Sequence, residues 1–368
     1  MEKVKLNELA DIYLGVTHTP EYVYEGVPFL SVKDISSGKI CFDDCKYISQ
    51  EEYDSLSEGA KPKVGDMLFC RVGTLGKPII IPEGTPLFGT FVSLGYLRNR
   101  NLARCDLNYL RYWMDSASFW KQVNTNVKGA SQVNLNTGWL SKFDIDLPDI
   151  AEQGYRISVL DKCKSIIESR KKELDDLDDL IKARFVEMFG DPIINSKHLE
   201  TKDLQDVLIF KAGDFTAASD ISDEPSETNP YPCYGGNGIR GYVSEYNQDG
   251  EYSLVGRQGA LSGNVQFAVG KFKNTEHALL VTPIVEMNNI WLNHLLLNLD
   301  LKRYQTGAAQ PGLSVKNLQE IQIICAPIDQ QNQFADFVKQ IDKSKVAIQK
   351  ALEQEQLLFD SLMQKYFG

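Results

Sequence analysis

The chain repeats itself. Gly129-Ala130-Ser131-Gln132, followed by Leu135 and Leu140, returns as Gly307-Ala308-Ala309-Gln310, followed by Leu313 and Leu318, at an offset of 178 residues. Met188-Phe189-Gly190 returns as Tyr366-Phe367-Gly368 at the same offset, and Asp161-Lys162-Cys163-Lys164 is matched by Asp342-Lys343-Ser344-Lys345. Each half of the 368 residues is long enough for a domain with its own core, so whatever one half folds into, the other should fold into as well.

Each half ends in a long helical pattern. Asp149, after Pro148, is a predicted N-cap, and Glu152 three residues on fits the capping-box spacing. Leu160, Ile167, Leu174, Ile181 and Met188 then recur every seven residues, with Leu177 and Phe185 between them, which is a coiled-coil seam. Gly190 ahead of Asp191-Pro192 predicts the stop. The second pattern begins after Pro327 near Asp329 and carries Ile341, Ile348, Leu352, Phe359, Met363 and Tyr366 at helical spacing. It is some three residues shorter than the first after its Asp-Lys-x-Lys. The two stripes are most simply buried against each other. From Ala151 to Phe189, at about 1.5 Å per residue, the first helix spans nearly 60 Å.

The segments ahead of the helices read differently. Short runs such as Phe29-Leu30-Ser31-Val32, Pro78-Ile79-Ile80-Ile81 and Glu251-Tyr252-Ser253-Leu254-Val255 alternate with turn residues, which predicts mixed, mainly β domains. The expected chain is α+β, with a domain at 1–147, a helix at 148–190, a domain at 191–326 and a helix at 327–368.

Composition narrows the function. Hydrophobic content of 43% with 24% charge is that of a globular protein, not of a disordered or fibrous one. No run approaches the roughly 18 apolar residues of a membrane span, and Met1-Glu2-Lys3-Val4-Lys5 leads into no hydrophobic leader, so a cytoplasmic protein without membrane contact is expected. Seven cysteines at irregular spacing suggest reduced, buried thiols. A formal charge of −11 excludes a grip on nucleic acid through bulk positive charge, but leaves room for a local basic surface. Residues 61–128 hold ten basic and four acidic side chains, and 256–316 hold six and three. The acidic runs, Asp175-Asp176-Leu177-Asp178-Asp179 above all, are expected to be solvated or to face a basic partner.

Enzyme motifs fail one by one. Gly73-Thr74-Leu75-Gly76-Lys77 lacks the first glycine and the final Ser or Thr of a phosphate loop, and Pro78 cannot open its helix. Gly235-Gly236-Asn237-Gly238 has the wrong spacing for a dinucleotide fold and reads as a turn. Asn229-Pro230-Tyr231-Pro232 matches the amino-methyltransferase tetrad only loosely, because its second proline is displaced. His18, His198, His277 and His294 are scattered, and Cys41 with Cys45 has no second pair, so no catalytic residue, metal or cofactor is expected.

Four segments, in order within the duplicated layout, carry a resemblance. They are Gly65-Asp66-Met67-Leu68-Phe69-Cys70-Arg71-Val72-Gly73 with Gly76-Lys77, and Met188-Phe189-Gly190-Asp191-Pro192 closing the first helix. The others are Tyr231-Pro232-Cys233-Tyr234-Gly235-Gly236-Asn237-Gly238-Ile239-Arg240-Gly241-Tyr242 and Leu254-Val255-Gly256-Arg257-Gln258-Gly259-Ala260-Leu261-Ser262-Gly263-Asn264-Val265. Over nearly its full length the chain resembles the specificity subunits of Type I restriction-modification systems.

The resemblance implies two target-recognition domains, each reading one half of a split double-stranded DNA sequence. Two antiparallel helices would separate them as a ruler and dock methyltransferase subunits, two of them, and through these the restriction subunits. By matching position it makes Arg71, Thr74 and Lys77, and Arg257, Gln258, Ser262 and Asn264, candidate DNA contacts. Arg98, Arg100, Lys128, Tyr234, Asn237, Arg240, Lys271 and Lys273 complete the candidate surface. Asn264 stands where the first loop has Lys77, which weakens the phosphate contact there. A rival is a coiled-coil scaffold whose globular ends bind proteins, which suits the acidity but leaves the duplicated glycine-rich, basic loops without a role.

Overall fold

The structure, a computed structural model, describes residues 2–126, 134–259, 261–307, 312–319 and 321–368. Lys128 and most of the repeated Gly-Ala-x-Gln segment lie outside the described residues. Two compact units divide the chain, Met1–Ser169 with Ala351–Gly368, and Arg170–Lys350. Each long helix therefore contributes one part to each unit.

The first unit opens with β1 (Glu2–Lys5), α1 (Leu6–Leu9), β2 (Ala10–Leu14), β3 (Tyr22–Val23), β4 (Val27–Leu30), α2 (Val32–Ile35), β5 (Lys46–Ile48) and α3 (Gln50–Ser55). It continues with β6 (Met67–Cys70), β7 (Gly76–Ile80), β8 (Gly89–Thr90), β9 (Leu94–Asn99), α4 (Leu107–Met114), α5 (Ala117–Asn126), α6 (Thr137–Leu140) and β10 (Asp144–Leu147), and leads into the helix α7 (Ile150–Phe189). The second unit has β11 (Thr201–Asp203), α8 (Leu204–Val207), β12 (Leu208–Ala212), β13 (Tyr231–Gly235), β14 (Gly238–Val243), β15 (Gln248–Gly256) and β16 (Val265–Asn274). After these come β17 (Ala278–Pro283), α9 (Asn289–Asn298), α10 (Val315–Gln319), β18 (Gln322–Ile324) and the helix α11 (Ile328–Phe367).

The duplication read from short motifs extends to the topology. The sheet β2-β9-β6-β7 of the first unit has its counterpart in β12-β17-β15-β16 of the second. β1 pairs antiparallel with β10 just ahead of α7, and β11 pairs antiparallel with β18 just ahead of α11. What differs is decoration: β13 and β14 extend the second unit's sheet beyond β16, whereas the first unit carries a separate sheet, β3-β5-β4-β8.

Both long helices have 40 residues, and the three that α11 lacks after Asp342 are made up ahead of it. Asp149 Oδ1 accepts the Glu152 N–H at 2.9 Å, as an N-cap should, and Gly190 closes α7 with φ +79°. In the first unit the start of α7 lies beside the end of α11, where Arg156 Nη1 donates to the Tyr366 carbonyl at 3.1 Å. In the second, the end of α7 lies beside the start of α11, with Phe185 edge-on to Phe334 at 5.5 Å between ring centroids. The helices are thus antiparallel.

The predicted seam is graded. Leu160, Ile167 and Ile181 are buried, while Leu174, Leu177, Met188, Ile341, Ile348, Leu352, Phe359 and Met363 are half-buried. Leu160 gains its cover from the first unit's core with Trp113, Phe119 and Phe367. Ile181 gains its cover from the second unit's core with Trp291, Phe185 and Phe334. Met188 and Ile341 pack at the edge of the second core and Phe359 and Met363 at the edge of the first, while Ile167, Leu174, Leu177, Ile348 and Leu352 belong to neither core. Fully burying one of these large apolar side chains stabilises a unit by roughly 1.5–3 kcal/mol, so the helix ends are the parts held most firmly.

Candidate nucleic-acid interface

The two glycine-rich loops are held by one hydrogen-bond frame, built twice. In the second unit the loop after β15 is fixed at Arg257, whose N–H donates to the His277 carbonyl at 2.9 Å and whose carbonyl accepts from Leu313 N–H at 2.8 Å. In the first, the loop after β6 is fixed at Arg71, whose N–H donates to the Ser93 carbonyl at 2.9 Å and whose carbonyl accepts from Leu135 N–H at 3.0 Å. Beneath each loop a glycine approaches the backbone so closely that no side chain fits. A Cβ on Gly15 would stand 2.2 Å from the Thr90 carbonyl oxygen, and one on Gly213 would stand 2.0 Å from that of Asn274.

The second unit brings most of its candidates to one place. The turn between β13 and β14 packs on the loop, since a Cβ on Gly256 would meet the Gly236 carbonyl oxygen at 2.3 Å. Asn264 Nδ2 donates to Asn237 Oδ1 at 3.3 Å across this junction. Arg240 lies over Gly235, and Arg240, Arg257, Gln258 and Asn237 are exposed. Among the described residues the Arg257 guanidinium, with its five donors, has no hydrogen bond or ion pair, and the residue is exposed. Ser262, by contrast, is fully buried, and the Tyr234 ring packs edge-on to Phe272 at 5.4 Å. These two shape the loop from within.

The first unit differs at the matching arginine. Arg71 Nε donates to the Leu135 carbonyl at 3.0 Å and Nη1 to the Val92 carbonyl at 2.9 Å, and burial pulls its guanidinium below the ordinary arginine range. Arg71 therefore ties the loop to the segments that flank it. Thr74 and Lys77 remain exposed on this hairpin.

Four candidates are not brought to these loops. Arg98 grips the buried Asp66 with two bonds, at 3.0 and 2.7 Å, and lies at the far end of β9 from the Arg71 hairpin. That hydrogen-bonded pair raises the arginine pKa further. Arg100 pairs with Asp11 at 2.6 Å. In the second unit, Lys273 lies 3.9 Å from Asp214, and Lys271 sits 4.8 Å from the Tyr246 ring centroid. The basic excess of 61–128 is thus largely neutralised, with Arg104 on Glu2, Arg111 on Asp161 and Lys63 on Glu58. Most of these carboxylates lie outside the basic stretch, which is why local charge counting missed them.

Two positions facing the loops escaped the sequence reading. Glu276 and His277 lie in the turn that holds Arg257, and Val92 and Ser93 occupy the same places beside Arg71. No motif marks them. Their equivalence exists only in the backbone bonds of the folded chain, among them those to the carbonyls that fasten the two arginines.

Among the described residues no cluster of His, Cys, Asp or Glu could hold a metal ion, and no helix is long and apolar enough to cross a membrane. Cys41 is exposed, Cys325 is half-buried and the other five thiols are buried.

Comparison with known proteins gives a consistent outcome. Residues 196–357 match the family described as the Type I restriction modification DNA specificity domain. The Type I restriction enzyme EcoprrI specificity subunit of Escherichia coli is 34% identical to this chain, over 72% of each. The solved S subunit of a Type I restriction-modification system from M. genitalium shares the fold, with a TM-score of 0.62 at 17% identity over 100% of this chain and 96% of that one. A chain from a structure of type I R-M complex assembly and conformational transition has a TM-score of 0.59 at 16% identity, over 100% and 97%.

Proposed function

The chain belongs to the family of Type I restriction-modification specificity subunits, and from that membership we propose that it reads a two-part double-stranded DNA target, one part with each unit. The observation that supports this most is the duplicated loop frame, with Arg71 and Arg257 fastened by the same pair of backbone bonds. Two copies of one reading device on one chain suit a target in two parts.

The division of labour follows from the side chains. In the second unit Arg257, Gln258, Asn237, Asn264 and Arg240 meet DNA, arginine matching guanine and the amides matching adenine in the major groove. In the first unit Thr74 and Lys77 do so, while Arg71 positions their hairpin. Phosphate contacts set the register, and base edges set the sequence.

Methyl transfer, ATP hydrolysis and cleavage belong to partner chains. Two methyltransferase subunits dock on the long helices, and restriction subunits join through them. The helices offer apolar side chains for such contacts, including Val346, 57% exposed, and Leu357, 70% exposed. The same helices set the length of unread DNA between the two parts of the target.

The test is reconstitution. With a cognate methyltransferase the chain should direct methylation to a single bipartite motif, and without that partner it should transfer no methyl group. Its DNA affinity should fall steeply as salt rises, because lysine and arginine contacts release counterions. Salt-independent binding to protein partners with no DNA affinity would instead make it a scaffold.

A further inference from the structure

We propose that Glu276 is a base-reading side chain of the second unit, accepting a hydrogen bond from the exocyclic amino group of a cytosine or adenine; this rests on the DNA-reading function proposed above. The internal duplication supplies the argument. The frames around the two loops share most of their bonds: Val16 N–H donates to the Thr90 carbonyl where Asp214 N–H donates to that of Asn274, although the return bond from Val92 N–H to the Val16 carbonyl has no counterpart at Glu276 among the described residues. Ser93 takes the Arg71 N–H where His277 takes that of Arg257. Val92 therefore corresponds to Glu276, and Ser93 to His277. A shared backbone cannot by itself distinguish two different half-sites, so the difference must lie in side chains placed on it. Here an apolar and a hydroxyl side chain in one unit are replaced by a carboxylate and an imidazole in the other.

The surroundings fit a reading role. Thr275 fixes the turn through its N–H and Oγ1, both donating to the Tyr234 carbonyl at 3.1 and 2.8 Å. A Cβ on Gly236 would lie 3.2 Å from the His277 carbonyl oxygen, so the turn carrying Asn237 sits against this segment. Glu276 thus shares one end of the sheet with Asn237, Arg257 and Asn264.

Its carboxylate is only partly engaged. Oε1 lies 3.2 Å from His277 Nε2, the two side chains are 29% and 42% exposed, and Oε2 is buried with no hydrogen-bond partner among the described residues, so an amino group would be met by Oε1 or by a carboxylate turned outward. Facing phosphates, an ionised carboxylate is repelled; facing a base edge, it is tolerated only where an amino group donates to it. It would therefore select cytosine or adenine and also reject the carbonyl edges of guanine and thymine, since acceptor facing acceptor leaves both unpaired.

The experiment removes the amino group from the DNA. Duplexes carrying the methylated motif are made with one cytosine replaced by 2-pyrimidinone, or one adenine by purine, at each position of the half-site read by the second unit. Their affinities for the chain with its methyltransferase are then compared. In the unaltered complex one such replacement should weaken binding by about tenfold or more, and in Glu276→Ala the same replacement should change it by less than about twofold. Indifference of the unaltered complex to every replacement, or an undiminished penalty in Glu276→Ala, would overturn the proposal. Glu276→Gln guards against a folding defect, because it keeps the size and one acceptor; failure of both variants to assemble would assign Glu276 to holding the turn and would likewise overturn it. If the unaltered complex methylates no bipartite motif at all, the functional reading itself fails.

Discussion

The backbone N–H of Asp106 donates to Gln153 Oε1 at 2.9 Å, fastening the N-cap of α4 to the first turn of α7. The Gln153 amide also donates to the Pro148 and Arg104 carbonyls, each at 2.9 Å. The second unit repeats the device: Asn288, the N-cap of α9, donates its N–H to Gln331 Oε1 at 2.9 Å, and Gln331 Nε2 donates to the Ala326 carbonyl at 2.8 Å. Both glutamines are buried. The first turn of each long helix is therefore bolted to the domain it leaves.

Gln153→Leu should accordingly be costly although it is nearly isosteric and apolar. It orphans one buried N–H and two carbonyls, each worth roughly 1–3 kcal/mol when left unpaired, so a loss of at least about 2 kcal/mol is expected in denaturant titration. Gln331→Leu should cost less, with two of these bonds to lose. A change below about 0.5 kcal/mol for either would mean that packing alone holds the helix start.

The two loop arginines should separate by assay. Arg71→Ala removes bonds to the Leu135 and Val92 carbonyls and should lower the Tm of the chain without DNA. Arg257→Ala should leave the Tm unchanged and weaken DNA binding by about 1–3 kcal/mol if the guanidinium meets a guanine, with relaxed preference at one base pair. A uniform loss across sequences with a shallower salt slope would assign Arg257 to phosphate instead.

Stability should fall on mild acidification because of His294. Burial pushes its imidazole down to about 4 from an ordinary 6.5, with its ring edge-on to Phe334 at 5.3 Å. The folded state thus prefers the neutral ring. This contribution is complete above about pH 6.5 and is lost as the pH falls towards 4, on the order of 3 kcal/mol in all. His294→Phe should flatten the stability profile in that window, measured by denaturant titration at each pH; an unchanged slope would remove His294 as the cause.

The duplication, the helix pair and the N-cap at Asp149 were legible because each is a local or periodic pattern. The loop positions were legible to the level of the motif, and no further. Arg71 and Arg257 occupy matching places, yet one is bound by carbonyls from 21 and 64 residues away and the other has no side-chain partner among the described residues. Arg98 looked like part of a basic surface until Asp66, at the start of the neighbouring strand, claimed its Nε and Nη2. Glu276 carried no signal, since its neighbours are brought together only by the pairing of β16 with both β13 and β15.

The central claim is that the two units read independently, and domain exchange tests it most directly. Residues 1–147 are replaced by the same region of a related specificity subunit, the hybrid is expressed with its methyltransferase, and the methylated motif is determined across a genome. One half of the motif should change and the other should stay as it was. A motif altered in both halves at once, from a hybrid that still assembles and methylates, would contradict the account.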